Sequence, residues 1–294
     1  MPTLKEYNTR LAAMNGMRRV TSTMQMVAAS HLHRIQRAMP CPVAFGAALT
    51  EILKTAQRIP IFAGHRFMRG ASGKKAAAKE PAKILLIVMC SDRGLCGAFN
   101  HGIAVDTRQW VEEQRAQRNV EIEALYVGKK GAGLLARELP SSSPIHTFSA
   151  QPKLSELLPL ADTIAQRFMD ADVDEVWFSG ARFINTLRHN NVVQQILPFA
   201  GEAQPQAMTS SSLLEPDDAR LVETLMRHWI HYCLLVSQQH RVATEQASRV
   251  LAMSSATENL KTMEKDLKLR RNRARQTAIT SELIEIIAGA ESLN

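Results

Sequence analysis

Residues 217–288 contain neither glycine nor proline, and good helix formers dominate them. This predicts one continuous helix. Pro216 at the first helical position loses no needed donor, and Asp217 and Asp218 in the first turn suit the helix dipole. Gly289 is the expected stop. At 1.5 Å per residue such a helix would run on the order of 110 Å, several times the diameter of a small domain. Most of it cannot be packed by its own globular body. Val222, Met226, Trp229, Cys233, Val236, His240, Ala243, Ala247 and Val250 alternate steps of four and three, the seam of a coiled coil that requires a partner helix. Beyond them the pattern slips through Leu260, Met263 and Leu267 to Ile279, Leu283 and Ile286, so the supercoil is not expected to be uniform.

The other end of the chain supplies the partner. Residues 3–39 read as a helix with Leu4, Leu11, Met17, Met24, Ala28, Leu32 and Ile35 near one stripe, interrupted only by Gly16. Pro40 and Pro42 then kink or break it before VAFGAALTEIL resumes. Two long helices from opposite ends imply an antiparallel coiled coil that carries the middle as an insertion. Residues 70–82, GASGKKAAAKEPA, form a polar connector. After it, KILLIVMC has buried-strand length, HGIAVDTRQWVEEQRAQ fits an amphipathic helix, and VEIEALYVG alternates like a strand. LSELLPLADTIAQRFMDA is helical, and VDEVWFSG and VVQQILPFA are expected strands. The expected organisation is a shaft helix over 1–58 with a kink near Pro40, a linker over 59–82, an α/β domain over 83–205, and a long shaft helix over 206–294.

Composition agrees with helix-on-helix packing. Aromatics make up only 5% of the chain while methionine reaches 13 residues, and thioethers fill irregular gaps between helices. A net charge of +8 points to an acidic partner, which could be nucleic acid, an anionic membrane surface or an acidic protein. The longest purely apolar stretch, 84–90, falls far short of the roughly 20 residues that span a bilayer. The opening MPTLKEYNTRL shows no signal-peptide h-region, so a soluble or peripheral protein is expected. Four cysteines in a chain this long make no disulfide framework and no C-x-x-C pair.

The chemical candidates do not converge. CSDRGLCGAFN, residues 90–100, follows a strand and holds two cysteines, yet offers a nucleophile no histidine before His101. A structural turn is the favoured reading of it. VGKKGAG, residues 127–133, is neither GxxxxGK[ST] nor GxGxxG and fits a strand-to-helix turn. His31 and His33 face different sides of a helix, and His228 and His231 have no evident third ligand. No catalytic, cofactor or metal site is expected. Charge instead gathers on the long helix at Lys261, Lys265, Lys268, Arg270, Arg271 and Arg273. That run reads either as a solvated face or as an electrostatic belt meeting an acidic surface. The following AITSELIEIIAGA turns apolar, as though it enters a hydrophobic socket.

Several of these stretches together resemble one family, the gamma subunit of F-type ATP synthases. RRVTSTMQMVAASHLHRIQ is similar to that family's opening helix, with its Met-x-Met-Val-Ala-Ala core at Met24 to Ala29. SDRGLCGAFN resembles its SDRGLCGGLN loop, and RFINTL and QILPF the end of its inserted domain. EPDDARLVETLM, TEQASRVLAM with SSATEN, and ARQTAITSELIEIIAGA resemble its C-terminal helix. The resemblance covers essentially the whole chain.

It implies a Rossmann-like α/β domain inserted into an antiparallel coiled coil that acts as a central rotor shaft. The implied partners are an alternating hexamer of alpha and beta subunits, the epsilon subunit and the membrane c-ring, with no nucleic acid, no small-molecule substrate and no cofactor. The implied place is the cytoplasmic face of a bacterial inner membrane. By the same resemblance Arg275, Gln276, Thr280 and Glu282 contact a beta subunit, with Met24 and Gln25 on the opposing helix close by. The loop residues Asp92, Arg93, Gly94, Cys96 and Gly97 are structural. The plastid-type regulatory cysteine insertion is absent, which implies redox-insensitive activity. The chain departs from the family pattern at Gln25, where lysine is usual, at Arg271-Asn272-Arg273, where Tyr-Asn-Lys is usual, and at His240, where glutamate is common.

Overall fold

The computed structural model describes residues 3–57, 60–69, 81–141, 143–149, 153–199 and 218–291. In order these form α1 (Leu4–Ala38), α2 (Pro40–Ala56), α3 (Pro60–Ala63), α4 (Arg66–Arg69), β1 (Ala82–Met89), α5 (Phe99–Gln117), β2 (Val120–Val127), α6 (Lys129–Leu135), α7 (Leu154–Met169), β3 (Glu175–Phe183), β4 (His189–Leu197) and α8 (Asp218–Glu291). The chain divides into two compact units, Ser30–Ser248 and the paired segments Met1–Ala29 and Arg249–Asn294.

The first unit is built on a four-stranded sheet of order β2-β1-β3-β4. β1 pairs in parallel with β2 and with β3, and β3 pairs antiparallel with β4. Every residue of β1 from Ile84 to Met89 is buried, which is why its sequence reads as an unbroken apolar run instead of an alternating one. The alternation is still present in what each face meets. Leu85, Ile87 and Met89 pack with residues of α2, α7 and the first part of α8, while Ile84, Leu86 and Val88 pack with residues of α5 and α6. Helices therefore cover both faces of the sheet, as a parallel sheet demands.

Part of the segment expected as linker is helical. Phe62 of α3 and Phe67 of α4 are almost fully buried in the core. Arg66 donates from Nε to the Phe168 carbonyl at 2.8 Å and from Nη2 to the Val173 carbonyl at 2.9 Å and to Asp174 at 3.2 Å. Two aromatic side chains and one guanidinium fork thus dock these short helices; residues 70–80 of the connector lie outside the described residues.

α1 stops at Ala38 and α2 restarts at Pro40, because proline has no amide to continue the ladder but suits a first helical position. α8 runs through Gly289 to Glu291, so the expected stop at Gly289 is not used. A helical glycine costs only about 1 kcal/mol relative to alanine. Pro216 and Asp217 lie outside the described residues.

In the second unit, α1 and α8 run antiparallel. The Thr257 hydroxyl donates to that of Thr21 at 2.8 Å, and Arg18 lies 3.5 Å from Glu264, so numbers rise on one helix as they fall on the other. Leu11, Ala28 and Met253 are buried in this unit.

Candidate functional site: the domain junction and the helix-pair surface

In an open α/β sheet, ligands bind at the carboxyl ends of the strands where the strand order reverses. Here the reversal falls between β1 and β3, and protein fills that place. Arg241 of α8 donates from Nη1 to the carbonyl of Cys90, the residue following β1, at 2.8 Å. The adjacent His240 accepts at Nδ1 from the amide of Phe183, the last residue of β3, at 3.2 Å. The long helix thus lies across the crevice that a nucleotide-binding fold leaves open.

The loop from Cys90 to Gly97 is shaped to receive it. The Cys90 amide donates to the Val127 carbonyl at 2.8 Å and the Lys130 amide to the Ser91 carbonyl at 3.0 Å. A Cβ on Gly128, whose φ is +100°, would fall 2.1 Å from the Cys90 oxygen, so only glycine lets β2 pass this close. Asn100 accepts from the Ser91 amide at 2.9 Å and donates to Cys96 Sγ at 3.3 Å, and Ser91 Oγ donates to the Arg93 carbonyl at 2.7 Å. Asp92 accepts from the Lys129 amide at 3.2 Å, and Gly97 takes a φ of +59°. Arg93 and Gly94 are exposed. Burial pushes the Cys90 thiol up to about 12, leaving it protonated at neutral pH and inert as a nucleophile. The geometry is that of a turn tied to α5, α6 and α8.

Between Ser237 and Ala247 every residue of α8 except the half-buried His240 is buried. Gln238, Gln239, Arg241, Thr244, Glu245 and Gln246 are enclosed along with Val242 and Ala243. Arg241 holds Gln238 Oε1 at 2.8 Å and Glu245 at 3.2 Å besides Cys90. A charge this deeply buried persists only when its donors are satisfied. His240, Ala243 and Ala247 lie on the heptad seam, whereas Arg241 lies off it, where a helical position reads as solvated. Burial lowers the pKa of His240, and the neighbouring Arg182 lowers it further; an imidazole that accepts a backbone hydrogen bond is the packed, neutral form.

The other sequence candidates occupy the second unit. Met24 is 39% exposed, Gln25 is half-buried, and Arg275, Gln276, Thr280 and Glu282 are exposed. Gln276 and Thr280 share a face, the Thr280 hydroxyl donating to the Gln276 carbonyl at 2.9 Å. Three cations of the basic run are paired along their own helix: Lys261 with Glu258 at 3.0 Å, Lys268 with Glu264 at 2.7 Å and Arg270 with Asp266 at 2.9 Å. Lys265, Arg271 and Arg273 have no carboxylate within ion-pair distance among the described residues. Beyond them Ile279, Leu283, Ile284, Ile286 and Ile287 are each at least half exposed. A soluble monomer does not normally leave so contiguous an apolar stretch to water.

The rings of His228 and His231 meet in a T-shaped arrangement with centroids 6.2 Å apart. Asp162 lies 3.6 Å from His231 and 2.9 Å from Arg227, and among the described residues no group of three or more potential ligands could hold a metal ion. Nor, among them, is any helix long and apolar enough to cross a membrane.

A family model described as ATP synthase matches residues 3–293. The ATP synthase gamma chain of Acidithiobacillus ferrooxidans is 30% identical over 298 residues, with 100% of both chains covered, and that of Dechloromonas aromatica is 29% identical over 295 residues, again with 100% of both covered. Among solved structures, a chain of the Euglena gracilis mitochondrial ATP synthase matches with a TM-score of 0.66 at 15% identity, covering 99% of this chain and 94% of that one. A chain from the central stalk and c-ring structure of the Tetrahymena thermophila mitochondrial ATP synthase matches with a TM-score of 0.52 at 20% identity, covering 81% of this chain and 99% of that one. Matched along its length by the family model and by full-length gamma chains, this chain belongs to the ATP synthase gamma-chain family.

Proposed function

We propose that this chain is the turning shaft of a rotary ATP synthase and carries no catalytic site of its own. The observation that supports this most strongly is the exposed apolar end of α8, from Ile279 to Ile287, on a chain whose sheet crevice is closed by its own helix. The first feature needs a protein socket, and the second removes the place where an enzyme of this architecture would hold a nucleotide.

In this reading the helix pair stands inside an alternating hexamer of alpha and beta subunits. The α/β unit rests, with an epsilon subunit, on a membrane ring of c subunits at the cytoplasmic face of a bacterial membrane. Ion flow turns the ring and the shaft with it. Because the shaft is asymmetric, each beta subunit meets a different surface at any moment. Its nucleotide affinity shifts by the difference in contact free energy between its conformations. Arg275, Gln276, Thr280 and Glu282, with Met24 and Gln25, are the side chains offered to a beta subunit. Lys265, Arg271 and Arg273 supply charge for an acidic loop, and the apolar tip turns in a bearing where an uncharged surface avoids sticking.

The test is co-expression with the alpha and beta subunits of the same source. Stoichiometric co-purification and steady ATP hydrolysis that falls when this chain is omitted are expected. Turnover by the isolated chain, or failure to assemble, would sink the reading.

A further inference from the structure

A cavity of about 140 Å³ lies between the β3–β4 side of the sheet and the helices α2 and α8. Its inner lining is apolar and buried: Phe178 and Ala181 from β3 and Cys233 from α8 are 3%, 0% and 6% exposed. Its side walls are aromatic and fixed. Trp229 donates from Nε1 to the Ile196 carbonyl at 3.0 Å, and its ring lies 5.7 Å from that of Tyr232. Tyr232 in turn packs against the bare backbone of Gly46, where a Cβ would fall 1.9 Å from the ring. These walls stand in place before anything enters, which lowers the cost of binding.

Polar groups gather on the remaining side. Arg182, at the exposed end of β3, lines the cavity together with His240. Since His240 Nδ1 accepts the Phe183 amide, the proton of the neutral ring sits on Nε2, a donor. Aspartate and glutamate are absent from the lining. Among the described residues Arg182 has no carboxylate within ion-pair distance. A guanidinium fork beside an apolar aromatic pocket, with no internal anion to neutralise it, matches a carboxylate carried on a flat apolar body.

Size narrows the class. A cavity of roughly 150 Å³ holds benzene, so this one accepts a single ring. We propose that this cavity is a binding site for a small aromatic or similarly compact apolar monocarboxylate of benzoate size. Its ring packs against the wall made by Trp229 and Tyr232 and against Phe178, and its carboxylate pairs with Arg182 and the His240 ring N–H. The occupant would bridge β3, α2 and α8 beside the junction that His240 makes with the sheet.

The test is ligand-observed fluorine NMR with 4-fluorobenzoate and the full chain. Broadening that unlabelled benzoate reverses, and that 4-fluorobenzyl alcohol and inorganic phosphate do not, is expected. Arg182→Gln should weaken binding at least tenfold while Arg182→Lys retains part of it, and Val192→Phe, which fills the cavity from β4, should abolish it. Circular dichroism on each variant verifies the fold. Should Arg182→Gln fail to fold, the lysine and phenylalanine variants decide the matter. Absence of broadening, displacement by the alcohol as readily as by benzoate, or binding unchanged in the cavity-filling variant would each overturn the proposal.

Discussion

Replacing Arg241 with methionine tests whether the buried contacts of α8 hold the sheet crevice closed. The side chain is 3% exposed and that of Glu245 is 9% exposed. The substitution keeps most of the volume and the helix propensity, so packing and local helicity change little. What is lost is the donor to the Cys90 carbonyl, the donor to Gln238 and the cation beside the buried Glu245 carboxylate. Removing one member of a buried ion pair costs about 3–5 kcal/mol. For a domain of 150–250 residues each kcal/mol shifts Tm by roughly 2–4 °C, so a fall of about 6–20 °C is expected in the unfolding transition of the α/β unit. The double variant Arg241→Met, Glu245→Leu should recover a large part of that fall, since an apolar replacement of both partners is often near neutral. The remaining deficit, about 1–3 kcal/mol, is that of the orphaned Cys90 carbonyl. Thermal melts followed by near-ultraviolet dichroism, with hydrogen exchange of the 90–100 amides, make the measurement. A single variant that melts within about 2 °C of the parent, or a double variant no better than the single, would refute the buried-clamp reasoning.

Three further outcomes are expected. Gly128→Ala places a methyl 2.1 Å from the Cys90 oxygen at a φ of +100°; backbone strain alone costs about 1–3 kcal/mol, and a denaturation midpoint equal to that of the parent would count against the close approach. His240 titrates below its ordinary value of 6.5 because burial, and then Arg182, disfavour the cation. The unfolded chain therefore takes up the proton first, and the contribution of this group is complete above about pH 6.5 and lost as pH falls through the depressed value. His240→Gln should flatten that part of the Tm–pH profile, other histidines retaining theirs, and an unchanged slope would refute it. Arg275→Ala and Gln276→Ala remove exposed side chains and should move chain stability by no more than about 0.5 kcal/mol, while lowering the ions pumped per ATP hydrolysed in the assembled complex. Full pumping in both variants would remove these residues from the beta contact.

Much of the architecture was legible because it rests on periodicity. The absence of breakers fixed α8, the two prolines fixed the interruption before α2, and the apolar run of β1 marked a strand covered on both faces. The turn that follows β1 at 90–97 was readable as a turn from its glycines. What the sequence did not disclose depends on tertiary neighbours. Phe62 and Phe67 look like stray aromatics in a polar connector until Arg66 is seen bonded to the carbonyls of Phe168 and Val173. Arg241 looks like a surface cation until Cys90, more than a hundred residues away in sequence, proves to be its acceptor. The stretch of α8 enclosed nearly all round shows its seam at His240, Ala243 and Ala247, but nothing in it announces that Gln238, Gln239, Arg241, Thr244, Glu245 and Gln246 are buried as well, because polar residues off the seam of an amphipathic helix ordinarily face water. The surface around Arg275 and the apolar end differ again: in the function proposed above they take their meaning from other chains, so a single sequence displays the residues but not the contact.

The decisive measurement is rotation itself. Cys41 is the exposed cysteine among four free ones, so a Cys41→Ser variant carrying Leu187→Cys, at a side chain 75% exposed in the β3–β4 turn, would accept a bead at one position on the α/β unit. With the assembled complex fixed through its beta subunits, ATP should drive the bead in one continuous direction that stops when nucleotide is withdrawn. A bead that stays still, or only fluctuates, while the same immobilised complexes hydrolyse ATP at full rate would show that this chain is not the shaft.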